Sequence, residues 1–125
     1  MKLILIVGIG SFLGGILRYV LSQWVQAKFL STFPFGTLSV NLIGCLVIGL
    51  VYAFSERSLM SSDWKLFLAT GICGGFTTFS AFSVETFSLL RNGQYGSAGG
   101  YIFASVVLGV MFTFLGYLIA SRLTS

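Results

Sequence analysis

The stretch Thr70-Gly71-Ile72-Cys73-Gly74-Gly75-Phe76-Thr77-Thr78-Phe79-Ser80-Ala81-Phe82-Ser83-Val84-Glu85 holds most of the side chains able to do chemistry. A glycine pair followed by two β-branched threonines is a poor place for a regular helix. A break there turns carbonyls of the first half-helix and amides of the second inward. Carbonyls suit a hard cation and amides suit an anion. The competing reading is a glycine kink that only aids packing. The stretch is no phosphate-binding loop, because it lacks the Lys-Ser/Thr ending and a preceding strand. Past the glycines, Phe79 and Phe82 share one helical face, with Ser80 and Ser83 on the adjacent face. Aromatic rings are electropositive at the edge. Ring edges beside hydroxyl donors can therefore hold a small desolvated anion, whereas a plain phenylalanine stripe is core or lipid-facing.

Five further positions put polar groups in apolar surroundings. Thr37 and Asn41 lie four apart and so can form a donor-bearing track on one face; Asn41 is either a helix–helix hydrogen bond or a pore-lining donor. Arg18 lies well inside an apolar segment, where a charge is a functional hypothesis unless the side chain snorkels to an interface. Glu85 can pair with Arg18 or with backbone donors. Ser105 is read as bonding back to its own helix. Cys45 and Cys73 sit in apolar runs without CxxC spacing and read as small buried residues. With no histidine and no acidic pair, nothing supports catalysis.

These residues must be positioned by membrane helices. Of the 125 residues, 56% are hydrophobic and only 8% charged, against about 25% charged in soluble domains. Three carboxylates and seven bases cannot cover a soluble globule of this size, and the 13 phenylalanines exclude a disordered chain. The bases behind the net charge of +4 are scattered, which gives nucleic-acid binding no support. A helix crosses the hydrocarbon core with about 20 apolar residues. Four such segments occur, at 3–26, 37–55, 65–90 (with the break near 74–78) and 98–122, forming one all-α transmembrane domain. The first reads as a retained anchor in the plasma (inner) membrane, because it carries Arg18 and lacks a small-x-small cleavage site. Glycines at four-residue spacing, Gly10 with Gly14 and Gly71 with Gly75, serve close helix packing, either within the chain or between copies.

The run Gly10-x-x-x-Gly14-Gly15-x-x-Arg18-Tyr19, then Gly36-Thr37-x-x-x-Asn41-x-x-Gly44, then Gly71-x-x-Gly74-Gly75-x-Thr77-Thr78-Phe79-Ser80-x-Phe82-Ser83-x-Glu85, resembles the CrcB/Fluc family of fluoride channels over essentially the whole chain. The resemblance implies an antiparallel, dual-topology homodimer in the lipid bilayer, with two fluoride pores and a central structural Na+. It makes Phe79 and Phe82 the pore-facing rings and Asn41 the pore amide. It assigns the sodium-binding carbonyls to Gly74 and Thr77 of both copies. Thr37, Ser80, Ser83, Tyr101, Ser105 and Glu85 fall near the polar track or its support, and Arg18 near the aqueous entrance. Gly109 stands where some relatives carry a second hydroxyl one turn after Ser105.

The implied function is passive export of cytoplasmic fluoride, conferring fluoride resistance. The alternative is a small multidrug-resistance-like, proton-coupled exporter, also a four-helix protein. That class needs a membrane-embedded glutamate in its first helix, and segment 3–26 contains no carboxylate. A scaffold subunit would have no use for a hydroxyl-rich, interrupted third segment.

Overall fold

A computed structural model describes residues 1–125. Helix α1 spans Lys2–Gln26 and α2 spans Phe35–Glu56. The third passage starts with a short turn, α3 (Ser62–Lys65), capped by the Ser61 hydroxyl, which accepts the Trp64 N–H. It continues as a π-helical stretch, Leu66–Cys73, and a last helical turn, α4 (Gly74–Phe76). Thr77 and Thr78 then take extended backbone angles, φ −88°, ψ 158° and φ −150°, ψ 118°. Helical geometry resumes in α5 (Phe79–Arg91). The fourth passage is α6 (Tyr95–Phe103), a π-helical stretch Ala104–Leu108, and α7 (Gly109–Leu123). Four passages are long and apolar enough to cross a membrane, so this is an all-α, multi-pass membrane protein.

Two contacts show how the passages alternate. At one end Lys2 pairs with Asp63 at 2.7 Å, joining the N-terminus to the turn between the second and third passages. At the other end the Thr32 hydroxyl donates to Gln94 at 2.9 Å, joining the remaining two connections.

Glycines set the packing, as expected where no hydrophobic drive brings helices together. The largest interface lies between α2 and α7. There Gly49 faces the Thr113 carbonyl and Gly116 faces the Leu46 carbonyl, each too close to admit a Cβ. The two four-residue glycine pairs meet each other: Gly10 abuts Gly71, and Gly14 abuts the Ile72 carbonyl. Their role is therefore packing of α1 on the third passage, within the chain. Few side chains are fully enclosed; Tyr101 and Val40 are the largest, and most large apolar residues stay on the outside of the single chain.

Candidate functional site

The extended pair is held by α2. The Asn41 amide donates from Nδ2 to the Thr78 carbonyl (3.1 Å) and accepts the Thr78 N–H at Oδ1 (2.8 Å). One side chain thus satisfies both the N–H and the carbonyl of Thr78, which would otherwise be costly away from water. The Thr78 hydroxyl in turn accepts the Ala81 N–H at 3.1 Å and caps α5. Thr77 donates its hydroxyl to the Cys73 carbonyl at 2.9 Å, closing the end of α4. The helix is left at the threonines, not at the glycines before them. Gly74 and Gly75 are helical, and Gly75 instead permits close approach of the Ser11 backbone on α1. Threonine, β-branched, suits extended backbone, so the physical reason for the position is Thr77-Thr78 together with the Asn41 clamp.

Around this point lies a cavity of about 460 Å³, open on one side of the chain. Its wall includes Asn41, Gly74, Thr77, Phe79, Phe82 and Ser105, contributed by α2, the third passage and the fourth. The Ser105 hydroxyl is buried and has no hydrogen-bond partner, so the expected bond back to its own helix is not made. It sits in the π-helical stretch, where the ladder is distorted, as π turns often are at functional sites. The Phe79 and Phe82 rings stand 5.5 Å apart at 46°. Phe79 is 79% exposed, whereas Phe82 is half-buried and touches Tyr101 at a ring distance of 5.0 Å. Tyr101 meets Phe33 edge-on at 5.5 Å, so the aromatic contacts run on from the cavity towards the first connection.

A second polar cluster lies beyond Phe82. The Glu85 carboxylate accepts the Thr37 hydroxyl at 2.8 Å and the Tyr101 hydroxyl at 2.9 Å. Neither Arg18 nor a backbone donor pairs with it; its partners are hydroxyls from α2 and α6. Thr37 and Asn41 do share the face of α2 that meets the third passage, one bonding Glu85 and the other Thr78. Arg18 reaches elsewhere. Its Nε donates to the Gly75 carbonyl at 3.3 Å, one residue before the end of α4. A positive group is thus placed at the carbonyl end of the half-helix, which the sequence did not suggest. Ser80 and Ser83 are exposed on α5 and line no part of the cavity; Ser80 lies 3.3 Å from the Thr78 hydroxyl.

Sequence reasoning missed Thr78, whose extended backbone is clamped by Asn41 and whose hydroxyl caps α5. Its signal was present, since threonine three residues before Ala81 at a helix start is a capping pattern.

A family model described as "CrcB-like protein, Camphor Resistance (CrcB)" matches residues 5–117, which takes in the clamp, the cavity and the Glu85 cluster. The chain belongs to the CrcB family. A "Fluoride-specific ion channel FluC" of Leptospira interrogans serovar copenhageni is 47% identical to this CrcB-family chain over 116 residues, 92% of this chain and 91% of that one. A protein of the same name from Thermus thermophilus is 45% identical over 119 residues, 95% and 94% of the two chains. Another, from Oceanobacillus iheyensis, is 43% identical over 121 residues, 96% and 92%.

Proposed function

We propose that this CrcB-family chain conducts fluoride across the membrane, letting it leave the cytoplasm down its electrochemical gradient. It is a channel and not an enzyme. The observation that carries the mechanism is the cavity in which the Phe79 and Phe82 rings, the Asn41 amide and the unpartnered Ser105 hydroxyl converge. These are ring edges and donors, with no carboxylate among them, and such a wall favours a small anion. Asn41 has a second Nδ2 proton beyond the one given to Thr78, and that proton is the donor for the ion. Glu85 lies outside the cavity wall and is bonded to two hydroxyl donors.

The interruption at Thr77-Thr78 is read as lying at mid-membrane. Non-helical backbone at that depth is tolerated where it is buried in protein or lines a cavity, and here it lines the cavity. The open side of the cavity and the 79% exposure of Phe79 favour a second copy closing the pore, in an antiparallel homodimer. A hard cation such as Na+ fits between the two copies at the Gly74 and Thr77 carbonyls. Gly74 is exposed at its side of the helix, and the extended angles of Thr77 take its carbonyl out of the helical ladder. One chain offers too few oxygens for such an ion, so the second copy is needed. Arg18 at the Gly75 carbonyl already supplies part of the positive charge there; the ion's role is to tie the two chains together.

The proton-coupled exporter fares worse on the same ground. The one carboxylate near the site, Glu85, is held by Thr37 and Tyr101 in place of facing the cavity. Purified protein in liposomes separates the two: fluoride efflux should be electrogenic, driven by an imposed potential without ATP or a pH gradient. Efflux that stops when the pH gradient is removed would overturn the channel reading.

A further inference from the structure

The Phe82 ring lines the cavity, but the ring it rests on does not. Tyr101 is fully buried and has two aromatic partners, Phe82 at 5.0 Å and 53° and Phe33 at 5.5 Å and 74°. Its hydroxyl is tied to Glu85 at 2.9 Å. The phenol is therefore anchored at its tip, and the rings packed against it set its tilt. Phe33 lies in the first connection, yet its backbone is held by hydrogen bonds. Gln26 donates from Nε2 to the Phe33 carbonyl at 3.1 Å, and the Phe33 N–H donates to the Ser31 hydroxyl at 3.1 Å. Pro34 follows and restricts the Phe33 backbone further. Gln26 also accepts the Gly36 N–H at 2.9 Å, a first-turn donor of α2 that has no partner within its own helix. Gly36 lies too close to the Ser22 carbonyl to admit a Cβ, so α2 starts at a fixed point on α1. A ring braced in this way can hold Tyr101 and not merely fill space beside it.

We propose that Phe33 is a positioning residue for conduction: held by Gln26, it wedges Tyr101 and through it fixes the tilt of the Phe82 ring at the cavity. The proposal rests on the fluoride reading and adds to it a residue that does not meet the ion, since Phe33 is no part of the cavity wall. Geometry matters here because a ring attracts an anion at its edge and repels it at its face. A Phe82 ring free to tilt presents both. Leucine at position 33 would fill much of the same space and offer Tyr101 no ring edge. An edge-to-face pair shifts an equilibrium by about fivefold, so its loss releases Tyr101, and Phe82 with it, into further orientations.

The test reads the Phe82 ring and conduction separately. The full-length protein is prepared with 4-fluorophenylalanine in place of Phe82, and its fluorine NMR resonance is recorded in detergent. Fluoride efflux from liposomes is measured on the same variants without the label. Phe33→Leu should shift or split the resonance and lower efflux about fivefold. Phe33→Tyr, which keeps the ring, should bring both back towards the parent. Gln26→Met keeps the length of the side chain, removes its hydrogen bonds and changes no aromatic residue, and should act like Phe33→Leu. Size-exclusion elution checks that each variant is folded. A parent that passes no fluoride would defeat the channel reading, and the resonance would still decide whether Phe33 sets the Phe82 ring. A Phe33 that serves packing alone would lower the thermal midpoint and leave the resonance unmoved. That result, an equal disturbance by Phe33→Tyr, or efflux at the parent rate in Phe33→Leu would overturn the proposal.

Discussion

At the scale of single residues, the Phe79–Phe82 pair and Asn41 make opposite demands on experiment. Replacing either ring by isoleucine keeps bulk and removes the electropositive edge. A ring-edge contact worth about 1 kcal/mol corresponds to about a fivefold fall in rate. Phe79→Ile and Phe82→Ile should therefore each lower fluoride efflux from liposomes several-fold, with unchanged size-exclusion elution. Efflux at the parent rate in both would make the rings mere packing. Asn41 is structural and functional together, and two substitutions separate the roles. Asn41→Leu strands the Thr78 N–H and carbonyl, at about 1–3 kcal/mol for each unsatisfied group, and should lower the thermal midpoint in detergent markedly. Asn41→Asp keeps an acceptor for the Thr78 N–H and should unfold at a temperature nearer the parent's, yet conduct poorly because its charge repels the anion. The residue types of this site were legible in the sequence, as were the shared faces of Thr37 with Asn41 and Phe79 with Phe82. Their partners were not. The Asn41–Thr78, Glu85–Tyr101 and Arg18–Gly75 bonds join residues on different helices, and helical periodicity carries no information about which helices meet.

At the scale of elements, spans were legible because about 20 consecutive apolar residues have few other uses. The observed helices extend the expected segments by one to three residues at most ends, since Phe35, Ser62 and Tyr95 begin turns that hydropathy does not reward. The position of the interruption was legible only to within a few residues. Propensity points to glycine as the breaker, whereas Gly74 and Gly75 stay helical and Gly75 makes room for Ser11. In lipid, glycine is as much a packing residue as a flexible one. The α2–α7 interface tests that view. Gly49→Ala would drive a methyl into the Thr113 carbonyl, and overpacking of this kind costs about 1–3 kcal/mol. Gly8→Ala meets nothing within 4 Å and should be neutral or stabilising by up to about 1 kcal/mol, because alanine favours the helix. Thermal unfolding in detergent compares the two; equal midpoints would remove close approach as the reason for Gly49.

For the whole molecule, orientation follows the lysine and arginine bias of short connections. One end carries Lys2, Arg57, Lys65 and Arg122, and the other carries Lys28 and Arg91, while Arg18 is held at the Gly75 carbonyl. A difference this small does not fix one orientation, so both should occur. A single cysteine at Leu59, in a background lacking Cys45 and Cys73, should react with an impermeant reagent outside intact cells in about half of the molecules. Labelling of nearly all or nearly none would rule out the antiparallel dimer. The central claim, that the cavity of rings, amide and hydroxyl passes fluoride, is tested most directly by anion efflux from liposomes holding the purified protein, with fluoride and chloride measured side by side. Rapid fluoride efflux with chloride retained is the predicted result; chloride leaving as readily as fluoride, or neither leaving, would contradict it.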